Sequence, residues 1–167
     1  AQSLARLVRL AILIRVTVAV FLHLFVAEEL FAPDQVEYHR YAVWLVDYWS
    51  GETVVAPGLK GPPLYYYMVA LQYVVFGALP LVPKIVNALA GGVSVWAAYD
   101  VALRVTASAS AAHRTATFVA FFPSLILWSS LNIRDVWVIL LILLICREAL
   151  VLQEHFNLRG AAALVVA

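Results

Sequence analysis

The segment "LVRLAILIRVTVAVFLHLFVA", residues 7–27, is almost continuously apolar and is 21 residues long. About 20 apolar residues are enough for an α-helix to cross the hydrocarbon core of a bilayer. The segment therefore predicts a membrane-spanning helix. Because no small-residue cleavage site follows it, we interpret it as a retained anchor and not as a signal peptide.

The composition of the whole chain of 167 residues points the same way. Hydrophobic residues make up 65% of it and charged residues 13%, with a mean hydropathy of +0.92. A soluble domain is about half apolar and about a quarter charged. We therefore predict an integral membrane protein whose main partner is the lipid bilayer. The net charge of +1 gives no indication of a nucleic-acid partner.

The apolar segments predict an all-α membrane protein with a single domain over residues 1–167. Backbone groups inside a bilayer must satisfy their own hydrogen bonds, so each spanning segment should be a helix. Residues 160–167 look like the start of a further helix, so we expect the chain to be part of a longer protein. The predicted spans are 7–27, 63–79, 84–104, 115–131 and 136–152.

The longest connection, residues 28–62, is predicted to carry a helix of its own over 34–49. Aromatic and apolar residues recur there at helical spacing, at Tyr38, Tyr41, Leu45 and Tyr48. Such a pattern is typical of an amphipathic helix that lies at a membrane surface with its rings at headgroup level. We therefore predict an outer loop with a surface helix.

The charges flanking the first span predict its orientation. Arg6 and Arg9 precede its centre, and Glu28 and Glu29 follow its end. Cytoplasmic flanks of membrane helices are rich in Lys and Arg. The N-terminus is therefore expected in the cytoplasm of a cell (plasma) membrane, with loop 28–62 outside.

Two arrangements of the later spans remain open. If all five cross, Asp34 and Asp135 lie on opposite faces of the membrane. If the short segment 63–79 does not cross, the two acids share the outer face. The second arrangement also brings a set of arginines to the cytoplasmic side, which the charge rule favours. These are Arg104, Arg114, Arg147 and Arg159.

Asp34 and Asp135 are the candidate catalytic residues. Asp34 follows Pro33 at the start of the surface helix, where an acid is a common N-cap. A carboxylate held there can also accept a proton from a substrate hydroxyl or amine. Asp135 falls in the first turn of the last span, which the helix dipole favours, and Asn132 is a candidate cap for that helix.

Other polar residues of the loop are candidate substrate-binding residues: Glu37, Tyr38, His39, Arg40 and Lys60. Arg40 and Lys60 suit a lipid phosphate. The simpler explanations are a solvated helix face, an Arg40–Glu37 pair and a lysine extended along the interface. Glu37 and His39 do not share a helix face, so no metal site is predicted from them.

Three motifs together resemble the N-terminal membrane module of the GT-C glycosyltransferase superfamily, which includes protein O-mannosyltransferases and aminoarabinose transferases. They are "PDQVEYHRYA" from residue 33, "PPLYYYMVALQYVVFG" from residue 62 and "FPSLILWSSLNIRD" from residue 122. The resemblance covers about residues 5–155. It depends on the order and spacing of the three motifs more than on any single motif.

The resemblance implies transfer of a sugar from a polyprenyl-phosphate donor to an acceptor at the outer membrane face. Asp34 matches an acid in the first outer loop that sits at the reacting centre, and Asp135 matches a second acid. Lys60 lies near a charged position that precedes the Pro-Pro pair in some members. Where many members have Asp-Glu, this chain has Asp34-Gln35, so the substrate class does not carry over. An acidic pair also suits a divalent cation over the phosphate, which is the one candidate cofactor.

Two other functions remain open. The chain would also suit a non-catalytic helical accessory subunit that packs against other membrane subunits. Arg15 and His23 lie inside the first span, where ionisable groups are costly, and they motivate a transporter fragment. For Arg15 the simpler expectation is that its side chain extends to the cytoplasmic face, and for Asp100 and Arg104 an i,i+4 ion pair.

Overall fold

The computed structural model describes residues 2–27, 30, 32–56, 58 and 63–155. Within these residues the chain forms helices and no strand, so the predicted all-α class is confirmed. Lys60, Glu28, Glu29 and the predicted start of a helix at 160–167 lie outside the described residues. The helices are α1 (Gln2–Phe25), α2 (Asp34–Ser50), α3 (Pro63–Phe76), α4 (Leu81–Thr106), α5 (Ala109–Phe121), α6 (Pro123–Ser129) and α7 (Asp135–His155).

All the predicted segments differ from the observed helices by at least one residue at one end, and two of the differences matter for the fold. Residues 115–131 do not form one helix, because Pro123 cannot donate a backbone hydrogen bond and holds Phe122 in an extended conformation, with φ −65° and ψ 119°. The helix predicted over 63–79 ends at Phe76 and is followed by Gly77 with φ +83°. At about 1.5 Å per residue, α3 is about 21 Å long. The hydrocarbon core is about 30 Å thick, so α3 is too short to cross it.

Helices α1 and α4 pack closely and run antiparallel. Gly92 lies against Ile12 so tightly that a methyl group there would overlap the isoleucine side chain. Gly91 lies against Arg15 and Ser129 in the same way. Two glycines in a row on α4 therefore let the two backbones approach, as small residues do wherever helices pack closely.

The remaining long helices run between the same two ends as α1 and α4. The α5 helix starts near the beginning of α1, where His113 Nε2 lies 3.3 Å from Ser3 Oγ. The α7 helix starts beside the first part of α4, where Trp137 binds Asn87, and runs past the second half of α4, where Arg147 binds Asp100. The end of the molecule where α1 and α5 begin and where Arg147 meets Asp100 is called the arginine end. Its arginines are Arg6, Arg9, Arg104, Arg114 and Arg147.

Helices α2 and α3 pack on each other at the opposite end, which we call the acidic end because Asp34 and Asp135 lie there. Their contact is aromatic: Tyr38 packs edge-on against Tyr65 with ring centroids 4.7 Å apart, and Tyr41 packs against Tyr66 at 4.9 Å. Only residues 77–80 join α3 to the start of α4. The α3 helix therefore stays at the acidic end.

Arg15 forms hydrogen bonds with the chain at the break between α5 and α6. Its side chain is only 1% exposed, so the expectation that it extends to a membrane face is wrong. The guanidinium donates to the carbonyls of Val119 (2.9 Å) and Ala120 (3.0 Å) and to Ser129 Oγ (3.0 Å). The last carbonyls of a helix lack intrahelical partners, and Pro123 has no N–H to offer Val119. Arg15 satisfies these groups from the neighbouring helix.

The expected pair of Asp100 and Arg104 is confirmed, with 2.9 Å between Arg104 Nε and Asp100 Oδ2. The same oxygen also accepts from Arg147 Nε at 2.9 Å. One carboxylate thus joins the ends of α4 and α7.

The outer surface of the described helices is strongly apolar. Leu13 on α1 is 62% exposed and Ile145 on α7 is 66% exposed. By length and composition, α1 and α4 qualify as helices that could cross a membrane. Large exposed apolar surfaces of this kind mark contact with lipid or with another protein.

Candidate functional site

Asp34 and Asp135 line the same cleft at the acidic end. The cleft has a volume of about 360 Å³. Of the two arrangements that the sequence left open, the structure therefore has the one with both acids at the same end. The lining residues are Ala32, Pro33, Asp34, Tyr38, Trp128, Ile133, Arg134 and Asp135.

Asp34 is the first residue of α2, and its side chain is exposed to the cleft. Pro33 occupies the N-cap position and no side-chain cap hydrogen bond forms, so the prediction that Asp34 caps the helix is wrong. The next residue, Gln35, turns inward and is 2% exposed. Its Oε1 accepts a hydrogen bond of 3.0 Å from the backbone N–H of Asn132. This bond places the start of α2 beside the connection that carries Asp135.

The connection between α6 and α7 is held by Asn87 of α4, which is fully buried. Its Nδ2 donates to the carbonyls of Leu131 (2.7 Å) and Ile133 (2.8 Å) and to the Tyr65 hydroxyl (3.0 Å). Its Oδ1 accepts from Trp137 Nε1 at 2.7 Å. Arg134 and Asp135 come directly after the residues that Asn87 fixes.

Asn132 belongs to the same buried network. It is 1% exposed and its Oδ1 accepts a 2.9 Å hydrogen bond from the Tyr65 hydroxyl. Asn132, a candidate cap for α7, thus links the α6–α7 connection to α3 instead. Four helices (α2, α3, α4 and α7) and the α6–α7 connection are held together by hydrogen bonds between uncharged groups.

Tyr38 forms the buried wall of the cleft and is 5% exposed. Burial raises the pKa of its phenol above the ordinary value, Arg134 lowers it, and Asp34 and Asp135 raise it. All three charged residues therefore act on the same phenol, which stays protonated at neutral pH. The cleft combines one guanidinium, two carboxylates and a neutral hydroxyl.

The other predicted substrate-binding residues that the structure describes, Glu37, His39 and Arg40, do not line this cleft. His39 Nδ1 lies 2.8 Å from the Tyr73 hydroxyl, so its ring joins α2 to α3. The Arg40 guanidinium lies over the Tyr41 ring, 5.4 Å from its centroid, and Glu37 is half-buried on the same helix. Lys60 lies outside the described residues. Among the described residues of this set, Tyr38 is the one that lines the cleft with the two acids.

An apolar groove opens beside the cleft, between α3 and α7. Its volume is about 660 Å³, and it shares Arg134 and Asp135 with the cleft. The rest of its wall is aliphatic and aromatic. The lining residues are Leu64, Tyr65, Met68, Arg134, Asp135, Trp137, Val138 and Leu141.

Sequence reasoning missed this groove and the residues that shape it. Arg134 was not predicted as a binding residue. Asn87 was not singled out, and Gln35 was named only as a departure from the GT-C pattern. A lone polar residue inside an apolar segment was the available signal for Asn87, because buried amides need complete hydrogen-bonding partners.

Among the described side chains, no group of three or more His, Cys, Asp or Glu residues is arranged to hold a metal ion. A cation at this site would have Asp34 and Asp135 as its ligands, beside the positive charge of Arg134. Oxygen ligands of this kind suit magnesium or calcium.

Comparison of the chain with protein-family models, with curated proteins and with solved structures found no significant match. The resemblance to GT-C enzymes therefore rests on the three sequence motifs alone.

Proposed function

We propose that the chain is a membrane-embedded module of a glycosyltransferase that uses a polyprenyl-phosphate sugar. The observation that carries this proposal is the sharing of Arg134 and Asp135 between the polar cleft and the apolar groove. A lipid-linked sugar phosphate has the same two parts, a charged head and a long apolar tail. The head would lie in the cleft and the first isoprenoid units would lie between α3 and α7.

The distribution of charge supports a membrane orientation for this module. Among the described side chains, the arginine end has five arginines and two acids, Asp100 and Glu148. The acidic end has more acids than bases. By the positive-inside rule the arginine end and the N-terminus are cytoplasmic, so the cleft faces outward. In this orientation α1, α4, the α5–α6 pair and α7 cross the bilayer, and α2 and α3 stay at the outer face.

The chemistry follows from the charges that line the cleft. Arg134 binds the phosphate, because a guanidinium donates two parallel hydrogen bonds to its oxygens. Asp34 takes the proton of the acceptor hydroxyl as its oxygen bonds to the anomeric carbon of the sugar. The bond from that carbon to the phosphate oxygen breaks, and its electron pair stays on the lipid phosphate, facing Arg134. Asp135 balances Arg134 and, with Asp34, suits a divalent cation over the phosphate.

The test replaces Asp34 by Asn in the full-length protein and measures transfer of labelled sugar from a polyprenyl-phosphate donor in membranes. Asn keeps the size of the side chain but cannot accept a proton, so transfer should fall by at least about a hundredfold. Asp47→Asn is the matched control, since it makes the same change on the same helix away from the cleft.

Membrane insertion should be the same in both variants. Wild-type transfer by Asp34→Asn would overturn the catalytic assignment. Absence of transfer in the wild-type protein with every donor tried would favour the accessory subunit.

A further inference from the structure

A second apolar groove lies at the arginine end, far from the candidate active site. It runs between the first turns of α1 and the middle of α4 and has a volume of about 550 Å³. This is within the range of about 300–1,000 Å³ that is typical of small-molecule sites. The lining residues are Leu4, Ala5, Val8, Arg9, Val93 and Trp96.

Arg9 is the one charged residue in the wall of this groove. Its side chain is exposed, and its Nε donates to the carbonyl of Ala5 at 3.2 Å. Among the described residues Arg9 has no carboxylate partner. The two terminal nitrogens of its guanidinium can therefore bind an anion at the mouth of the groove.

The surroundings add positive charge. Arg6 is exposed one turn before Arg9. Arg147 stands over the Trp96 ring, 5.5 Å from its centroid, but its charge is balanced by Asp100 and Glu148, so the positive charge at the mouth comes from Arg6 and Arg9. An apolar channel whose mouth is positive is complementary to a molecule with an apolar chain and an anionic head.

We propose that this groove binds an anionic diacyl phospholipid of the cytoplasmic leaflet. One acyl chain lies along Ala5, Val8 and Val93 against Trp96, and the phosphate binds Arg9. The proposal rests on the membrane orientation given above but not on the transferase activity. Its purpose would be to fix the depth of the α1–α4 pair in the bilayer by joining it to a lipid headgroup.

The experiment uses Trp96 as the reporter. The purified full-length protein is mixed with phosphatidylglycerol whose acyl chains carry bromine, and the quenching of tryptophan fluorescence is compared with that by brominated phosphatidylcholine. The same titrations of Trp96→Phe give the signal of the other tryptophans, so the difference belongs to Trp96. One contact between an arginine and an anionic membrane surface corresponds to about a fivefold change in binding.

We expect half-maximal quenching of Trp96 at about a fivefold lower concentration of phosphatidylglycerol than of phosphatidylcholine. Arg9→Gln should remove this preference. Arg114→Gln should keep it, because Arg114 is exposed at the same end but lies outside the groove. Ala5→Leu should reduce quenching by both lipids, since its side chain fills the groove.

Equal quenching by the two lipids in the wild-type protein would overturn the proposal, and so would an unchanged preference in Arg9→Gln. Relief of the quenching by inorganic phosphate would assign the site to a free anion instead. Absence of quenching together with a dimer in cross-linking would assign the groove to a second copy of the chain. Arg9 lines neither the cleft nor the groove used in the proposed transfer, so a failure here leaves the Asp34 test untouched.

Discussion

Asn87→Leu is expected to release the connection that carries Arg134 and Asp135. Leucine has the same branching and the same number of side-chain heavy atoms but makes no hydrogen bonds, so the carbonyls of Leu131 and Ile133 and the indole N–H of Trp137 lose their partner. Each buried polar group left unsatisfied costs about 1–3 kcal/mol. Three such groups at the low end of that range give a loss of about 3 kcal/mol.

The effect should be visible as a shift of the melting temperature. A chain of this size loses about 2–4 °C for each kcal/mol, so the expected shift is at least about 6 °C. It can be followed by far-ultraviolet circular dichroism of the detergent-solubilised protein. The matched control is Ser94→Ala, since Ser94 is also buried on α4 but donates only to its own helix, to Ala90 at 3.0 Å.

If Asn87→Leu melts within about 2 °C of the wild-type protein, a shift worth less than about 1 kcal/mol, the network does not hold the connection in place. If both variants lose the same stability, the loss belongs to a general disturbance of α4. Indole emission gives a second readout, because Trp137 loses its acceptor in Asn87→Leu and keeps it in Ser94→Ala.

Two further predictions concern packing and pH. Gly92→Ala should destabilise the protein by about 1–3 kcal/mol because the new methyl group overlaps Ile12; Ile12→Ala should recover part of this in the double variant, and Gly58→Ala, with open space around it, should be neutral. The pKa of Tyr38 is higher in the folded protein than in the unfolded chain, where it is about 10. Its contribution to stability is therefore full below the unfolded pKa and is lost as the pH rises through the folded pKa. Thermal melts between about pH 9 and pH 11 should therefore fall less steeply for Tyr38→Phe than for the wild-type protein, and an equal slope would contradict the shift.

The sequence predicted well those features that depend on local pattern. The aromatic spacing of residues 34–49 predicted a helix, and the structure has α2 over Asp34–Ser50. The i,i+4 spacing of Asp100 and Arg104 predicted their ion pair. Both follow from the 3.6-residue period of a helix, which needs no knowledge of the rest of the fold.

The features that the sequence did not predict depend on distant partners. Arg15 satisfies carbonyls about a hundred residues later in the chain, and no local pattern marks them. The break at Pro123 is visible in the sequence, but a proline also occurs inside continuous membrane helices when neighbours satisfy the freed carbonyls. Here Arg15 of the neighbouring α1 satisfies carbonyls before the proline, and the segment is nevertheless divided into two helices, α5 and α6.

Gln35 explains physically why this chain departs from the paired acids that the GT-C resemblance implies. Its side chain is 2% exposed and accepts a hydrogen bond from the backbone of Asn132. A glutamate there would be a buried carboxylate, and taking a charge out of water costs much more free energy than burying a neutral amide. The amide makes the same bond without a charge. If the cleft needs two carboxylates, the second must then come from another segment, and Asp135 at the start of α7 supplies it. The Gln35–Asn132 bond thus holds the start of α2, and with it Asp34, beside the connection that leads to Asp135.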